Sequence, residues 1–153
     1  MPEDSAQPTE AGRGWDALSA ALALVGVAES VYLTVEHFAG RSVRCVVVTG
    51  CDTVLTSSYA TVAGGIPLAA VGAFAYFTAF SLATLAYFGY TGTRPLLGLL
   101  AALMFAASVW YVYVQAFVLQ AFCAYCLLSA AVSTALALVA LTRLLLGRKS
   151  RLS

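Results

Sequence analysis

Charge is scarce in this sequence. Asp, Glu, Lys and Arg make up only 10% of it, where a soluble globular domain carries about a quarter. Eight basic and seven acidic residues leave a net charge of +1, too weak a field to hold nucleic acid. Long polar stretches are also missing. In 153 residues there is no room for a soluble catalytic domain beside the apolar part. The four cysteines are an even number, but this is not a small secreted scaffold, so a stapling framework is not the default reading. A cleavable secretory leader is not expected either. The first apolar block follows an acidic tail, exceeds the roughly 7–15 apolar residues of a leader, and has no clear small-residue cleavage site.

What remains is apolar, 61% of the chain, and it comes in blocks. These run at about residues 15–38, 66–90, 95–119 and 122–146. Each is close to the ~20 residues that cross a ~30 Å hydrocarbon core. Pro67 suits the first turn of the second block, where no backbone donor is lost, and Thr91-Gly92-Thr93-Arg94-Pro95 reads as a tight turn. The expected fold is an all-α integral membrane protein, a four-transmembrane-helix bundle. Residues 1–14 read as a disordered tail and 147–153 as a basic tail. Residues 39–65 are the one substantial internal segment outside the membrane, with a short surface helix near 52–60. Gly26, Gly72 and Gly98 read as points of close helix contact.

Four spans bring both ends to one side. Arg13, Arg94, Arg143, Arg148, Lys149 and Arg151 then share that side, against Arg41 and Arg44 on the other. Basic residues favour the cytoplasm. The expectation is therefore a bacterial-type cytoplasmic membrane, both termini cytoplasmic, and an extracytoplasmic loop at 39–65. Trp110, Tyr111 and Tyr113 fall in the outer half of the third block, as interfacial or pocket-lining aromatics.

All four cysteines fall at the outer end. The outer face is an oxidising compartment where disulfides persist. Cys123 and Cys126 form a C-A-Y-C motif at the start of the fourth block. Three residues apart on a helix, they share a face and can close a disulfide. The helix N-terminus favours a thiolate there. Cys45 and Cys51 lie on the loop, read as mobile and solvated, able to swing between a soluble partner and a fixed redox centre. Two dithiols on one face suggest a relay by thiol–disulfide exchange. The relay needs an acceptor inside the membrane, for which a lipid-soluble quinone between the helices is the natural candidate. The plainer readings are inert packing cysteines, a structural Cys45–Cys51 disulfide, and a four-thiolate zinc site. Ligand-like loops are scarce, so no metal is expected.

The residues also spell a family. The loop Cys45…Gly50-Cys51-Asp52-Thr53-Val54-Leu55-Thr56-Ser57-Ser58-Tyr59-Ala60 resembles bacterial members of the vitamin K epoxide reductase family. So do Gly65-Ile66-Pro67-Leu68-Ala69-Ala70-Val71-Gly72 followed by Tyr76, and Gln115-Ala116-Phe117…Phe122-Cys123-Ala124-Tyr125-Cys126-Leu127-Leu128-Ser129-Ala130. Tyr32-Leu33 with Glu36-His37 look like the family's first helix. The resemblance covers about Ser30 to Ser133. It implies that Cys126 reacts with the quinone, that Cys123 is its partner and is attacked by Cys51, and that Cys45 exchanges with an external thiol protein. That partner would be a DsbA-like thioredoxin-fold protein, separate because this chain lacks the fused domain of some relatives. Ser57 matches a loop serine at the quinone pocket; the local alternative is a cap or backbone hydrogen bond. Mammalian members hold the vitamin K head group with an Asn in the second helix and a Tyr after the C-x-x-C. Those positions are Leu68 and Ala130 here, which points away from epoxide reduction. Leu68, Ala130, Tyr76, Ser57 and Cys126 are the expected quinone-binding set. A DsbB-type oxidase carries its C-x-x-C early and its spaced pair late, the reverse of this order.

The expected function is quinone-dependent thiol oxidation supporting disulfide formation, with menaquinone, ubiquinone or a vitamin K type quinone as acceptor. The competing enzyme reading is reduction of vitamin K quinone or epoxide. The non-enzyme reading is a helical membrane scaffold with structural cysteines. Glu29 lies well inside the first span, where a charge is costly unless neutral or paired. It is a candidate proton relay. Glu36 and His37 read as interfacial, and Asp52 as a cap for the loop helix.

Overall fold

The computed structural model describes residues 10–43, 45, 49–90 and 92–152. Four long helices dominate: α1 (Glu10–Phe38), α3 (Leu68–Tyr87), α4 (Thr93–Tyr113) and α5 (Ala124–Leu152). A π-helical turn, Val114–Leu119, extends α4. All four are long and apolar enough to cross a membrane. Between α1 and α3 lie a short helix α2 (Cys51–Leu55), a 3-10 turn at Ser58–Ala60, and a minimal hairpin. The hairpin pairs β1 (Thr61–Val62) antiparallel with β2 (Ile66–Pro67), Thr61 opposite Pro67. Gly64 and Gly65 turn it with φ of +85° and +79°, a region that side chains other than glycine rarely adopt.

The side-chain distribution is that of a bundle in lipid. Small residues face inward: Ala23, Ala79 and Ala83 are fully buried and pack with Leu97. Large apolar side chains face outward, Phe74 at 75% exposure and Leu144 at 61% among them. Without a hydrophobic driving force between helices, close backbone approach and packing hold such a bundle together. The α1–α3 interface illustrates this. A methyl group at Gly26 would overlap the Tyr76 ring, and one at Gly72 would press on Ser30 Oγ at 3.3 Å. Gly98 is looser, 3.8 Å from the Ala140 methyl.

The helices alternate in direction, so the bundle has two distinct ends. At one end Arg94 and Arg143 both bond to the buried Asp16, and Arg13 lies over the Tyr87 ring at 4.9 Å. The loop, α2 and the start of α5 form the other end.

Boundaries differ from the sequence reading in instructive places. Residues 10–14, expected in the tail, are the first turn of α1, and α5 continues through 147–152. Ile66 and Pro67 belong to the hairpin, so α3 starts at Leu68 and Pro67 precedes it in an extended conformation. The surface helix is split into α2 and a 3-10 turn. Residues 1–9, Arg44, Thr91 and Ser153 lie outside the described residues.

Candidate redox site

The site is built where the α4–α5 connection meets the loop. The last turn of α4 widens to π-helical geometry and stops at Gln120, which takes a left-handed conformation (φ 50°, ψ 33°). Such single π turns often mark functional positions. Its effect here is local and specific. Gln115, buried inside the wide turn, accepts the Cys123 N–H at its side-chain oxygen at 2.9 Å. Its own carbonyl accepts the Ala121 N–H at 3.1 Å. One amide side chain thereby fixes the approach to the C-A-Y-C motif.

Cys123 precedes α5 and acts as its cap. Its carbonyl accepts the Leu127 N–H at 2.9 Å, and its sulfur accepts the Cys126 N–H at 3.5 Å. A sulfur stands where Ser or Asp oxygen usually satisfies the free donors of a helix start. The neighbouring Cys126 thiol and the Tyr125 backbone N–H also favour negative charge on this sulfur. Against the opposing effect of burial, these donors lower the Cys123 pKa from 9.0 to about 7. This environment favours a thiolate at Cys123.

The loop pair is close by. Cys45 and Cys51 are joined in a disulfide, with Cα atoms 5.7 Å apart, while Cys123 and Cys126 are free thiols. The sulfurs of Cys45, Cys51 and Cys123 all lie within 4.8 Å of one another. Sulfurs this close are within reach of thiol–disulfide exchange with one another. The expectation of a solvated loop pair needs correction at Cys51. Cys51 opens α2 and is 1% exposed, packed with Val54 and Cys123; only Cys45 is partly exposed. Gly50 makes this docking possible, because a Cβ there would sit 2.7 Å from the Phe122 backbone. Gly50, not Asp52, occupies the cap position of α2; Asp52 is exposed in its first turn.

Beneath the cysteines lies a cavity of 680 Å³. Its volume suits a ligand head group, commonly 300–1,000 Å³. Cys126, Glu29, Ser57, Leu68, Tyr76 and Tyr111 line it, and His37 and Arg41 stand on its wall. Ala130 does not; it faces a separate recess of 170 Å³ with Ser108, Val109, Val112 and Thr134. Ser57 makes the local bond weighed from sequence, donating to the Val54 carbonyl at 2.7 Å, while also lining the cavity. The Tyr76 hydroxyl donates to the Ser129 carbonyl at 2.8 Å and lies 2.9 Å from Ser129 Oγ. Glu36 pairs with Arg41. Trp110 and Tyr113 are exposed and stack on each other at 6.0 Å.

The sequence reading missed Gln115 as a support, Ser129 as the partner of Tyr76, and Ser108–Ser133, which are hydrogen-bonded across α4 and α5 at 2.7 Å. A polar side chain in an otherwise apolar run was the available signal for each.

No curated protein matches the chain. The model of the vitamin K epoxide reductase family matches residues 17–141, from inside α1 to near the end of the fourth span, including all four cysteines. The chain therefore belongs to the vitamin K epoxide reductase family and is an integral membrane thiol oxidoreductase of the kind that works with a quinone.

Proposed function

We propose that this protein oxidises a thioredoxin-fold dithiol outside the cytoplasm and reduces a membrane quinone, supporting disulfide bond formation. The observation that carries this reading is the sulfur sequence: Cys45 partly exposed, Cys51 and Cys123 with it within 4.8 Å, and Cys126 on the cavity wall. The order runs from a surface a protein can reach to a cavity a lipid-soluble acceptor can enter.

The steps balance as thiol–disulfide exchange. A DsbA-like partner's dithiol reduces the Cys45–Cys51 disulfide, entering at Cys45. The Cys51 thiolate then attacks Cys123 in a Cys123–Cys126 disulfide, releasing Cys126 as thiolate. Cys45 attacks Cys51, closing the loop disulfide and freeing Cys123. That product is the arrangement described above, loop oxidised and helix pair reduced. The quinone supplies an acceptor for two electrons and two protons within the bilayer. Cys126 delivers the electrons from the cavity wall as the Cys123–Cys126 disulfide re-forms. The lowered Cys123 pKa makes that sulfur a good leaving group in the exchange. Ser57, Tyr76, Leu68 and Cys126 surround the quinone head group. The buried, unpartnered Glu29 carboxyl gives the cavity a polar group in need of a partner. The preference of basic residues for the cytoplasmic side supports a cytoplasmic orientation for the end with Arg13, Arg94 and Arg143, and an outward one for the cysteines.

The test uses purified protein, a reduced DsbA-like thioredoxin-fold protein, and a menaquinone or ubiquinone analogue. Cys126→Ala is expected to abolish quinone reduction with any donor. Cys45→Ala is expected to stop only the protein-driven reaction and to leave reduction by a small dithiol. A wild type that leaves both quinones untouched removes the acceptor from the scheme.

A further inference from the structure

Glu29 sits on α1 in the cavity wall with Cys126 and Tyr76. It is 7% exposed, and neither carboxyl oxygen has a hydrogen-bond partner among the described residues. An unpaired carboxylate in such a place is expensive, whereas the neutral acid is tolerated. A structural carboxyl would be bonded, as Asp16 is on the same helix. Other polar groups nearby are already engaged: Tyr76 with Ser129 and Ser57 with Val54. Among the described residues lining the cavity, Glu29 is the one whose buried side-chain oxygens have no hydrogen-bond partner.

We propose that Glu29 is the proton donor of the quinone half-reaction. This rests on the quinone reading above and deepens it. As the Cys126 sulfur gives up electrons and the Cys123–Cys126 bond forms, the Glu29 carboxyl protonates a quinone oxygen. The resulting carboxylate then takes a proton shed by the thiol pair and is a carboxyl again. Two thiols lose two electrons and two protons, and the quinol gains the same. One proton passes through Glu29, and the other exchanges with water at the cavity mouth near His37 and Arg41. No further reactant is needed. Glu29 reaches the reacting atoms from the α1 side of the cavity, and Cys126 from the α5 side.

The experiment compares wild type, Glu29→Gln, Glu29→Asp and Cys126→Ala in detergent, with a ubiquinone analogue and a small dithiol as donor. Glu29→Gln keeps the shape but cannot donate an acidic proton. Its quinone reduction is expected to fall about 10²-fold, the usual range for a lost general acid, with KM for the quinone little changed. Glu29→Asp should recover part of the rate. An infrared spectrum of the quinone-free protein should show a carboxylic acid band that Glu29→Gln removes and Cys126→Ala retains. Exchange between the loop pair and the C-A-Y-C pair, followed by alkylation, should be unchanged in Glu29→Gln. A wild-type rate in Glu29→Gln, a defect confined to KM, or a carboxyl found ionised in the resting protein would each overturn the proposal. A wild type inactive on quinone, as in Cys126→Ala, would instead remove the functional reading on which it stands.

Discussion

Helix α1 carries two buried carboxylates, and they live in opposite worlds. Asp16 is 0% exposed and bonded to Arg94 from α4 at 3.0 Å and to Arg143 from α5. Glu29, roughly 20 Å further along the helix at 1.5 Å per residue, has no hydrogen-bond partner among the described residues. The first ties three helix ends together. The second faces a cavity beside reactive sulfurs. One end of the bundle thus uses its buried carboxyl side chain to hold helices together, and the other leaves its own without a hydrogen-bond partner among the described residues. The difference matches a buried carboxyl side chain kept for architecture and, on our proposal, one kept for chemistry: paired in the first case, cavity-lining and without a hydrogen-bond partner among the described residues in the second.

Asp16→Asn attacks the comparison most directly, because it leaves two arginines without their anion. Breaking such a buried set by removing one partner should cost about 3 kcal/mol, read as a lower midpoint of unfolding in detergent. Turnover per folded molecule should not change. If turnover falls as it does for Glu29→Gln, the two carboxylates do not divide structure from chemistry.

A second test addresses the reactive end by pH. The Cys126 thiol is the main cause of the lowered Cys123 pKa. In the wild type with its helix pair reduced, alkylation of Cys123 should therefore rise with pH through a midpoint of about 7. It should slow as pH falls below that, when the sulfur is protonated. In Cys126→Ala the midpoint should move up toward the ordinary 9.0. An unmoved midpoint would assign the effect to the helix start instead.

The smallest effect has the opposite sign to the first. Glu29→Leu removes an unsatisfied buried group, so it should stabilise the protein by about 1 kcal/mol while quinone reduction is lost. A loss of stability comparable to that of Asp16→Asn would mean that Glu29 is held by contacts, and the contrast between the two residues would dissolve.

The helices were legible because apolar runs of spanning length have few other uses. The loop hairpin was not, since two-residue strands leave no periodic pattern. Glu29 was conspicuous as a charge inside an apolar block. Asp16 was not, as it lies near the polar edge of the same block; its partners stand 78 and 127 residues away in the chain. Gln115 looked like part of a motif, and its task of holding the Cys123 backbone became visible only through the π turn. Ala130 was placed at the quinone site by the family resemblance, but in the fold it lines a separate recess.

By itself, then, the sequence determined a membrane bundle of four spans, two cysteine pairs at one end, and membership of a quinone-linked family, because hydrophobic run length and cysteine spacing are local properties of the chain. The tertiary structure alone decided which sulfurs meet, which carboxylate is paired, and which side chains share the cavity. Those depend on helix rotation and on loop docking through Gly50, and contacts between residues far apart in sequence leave no mark in any one segment of it.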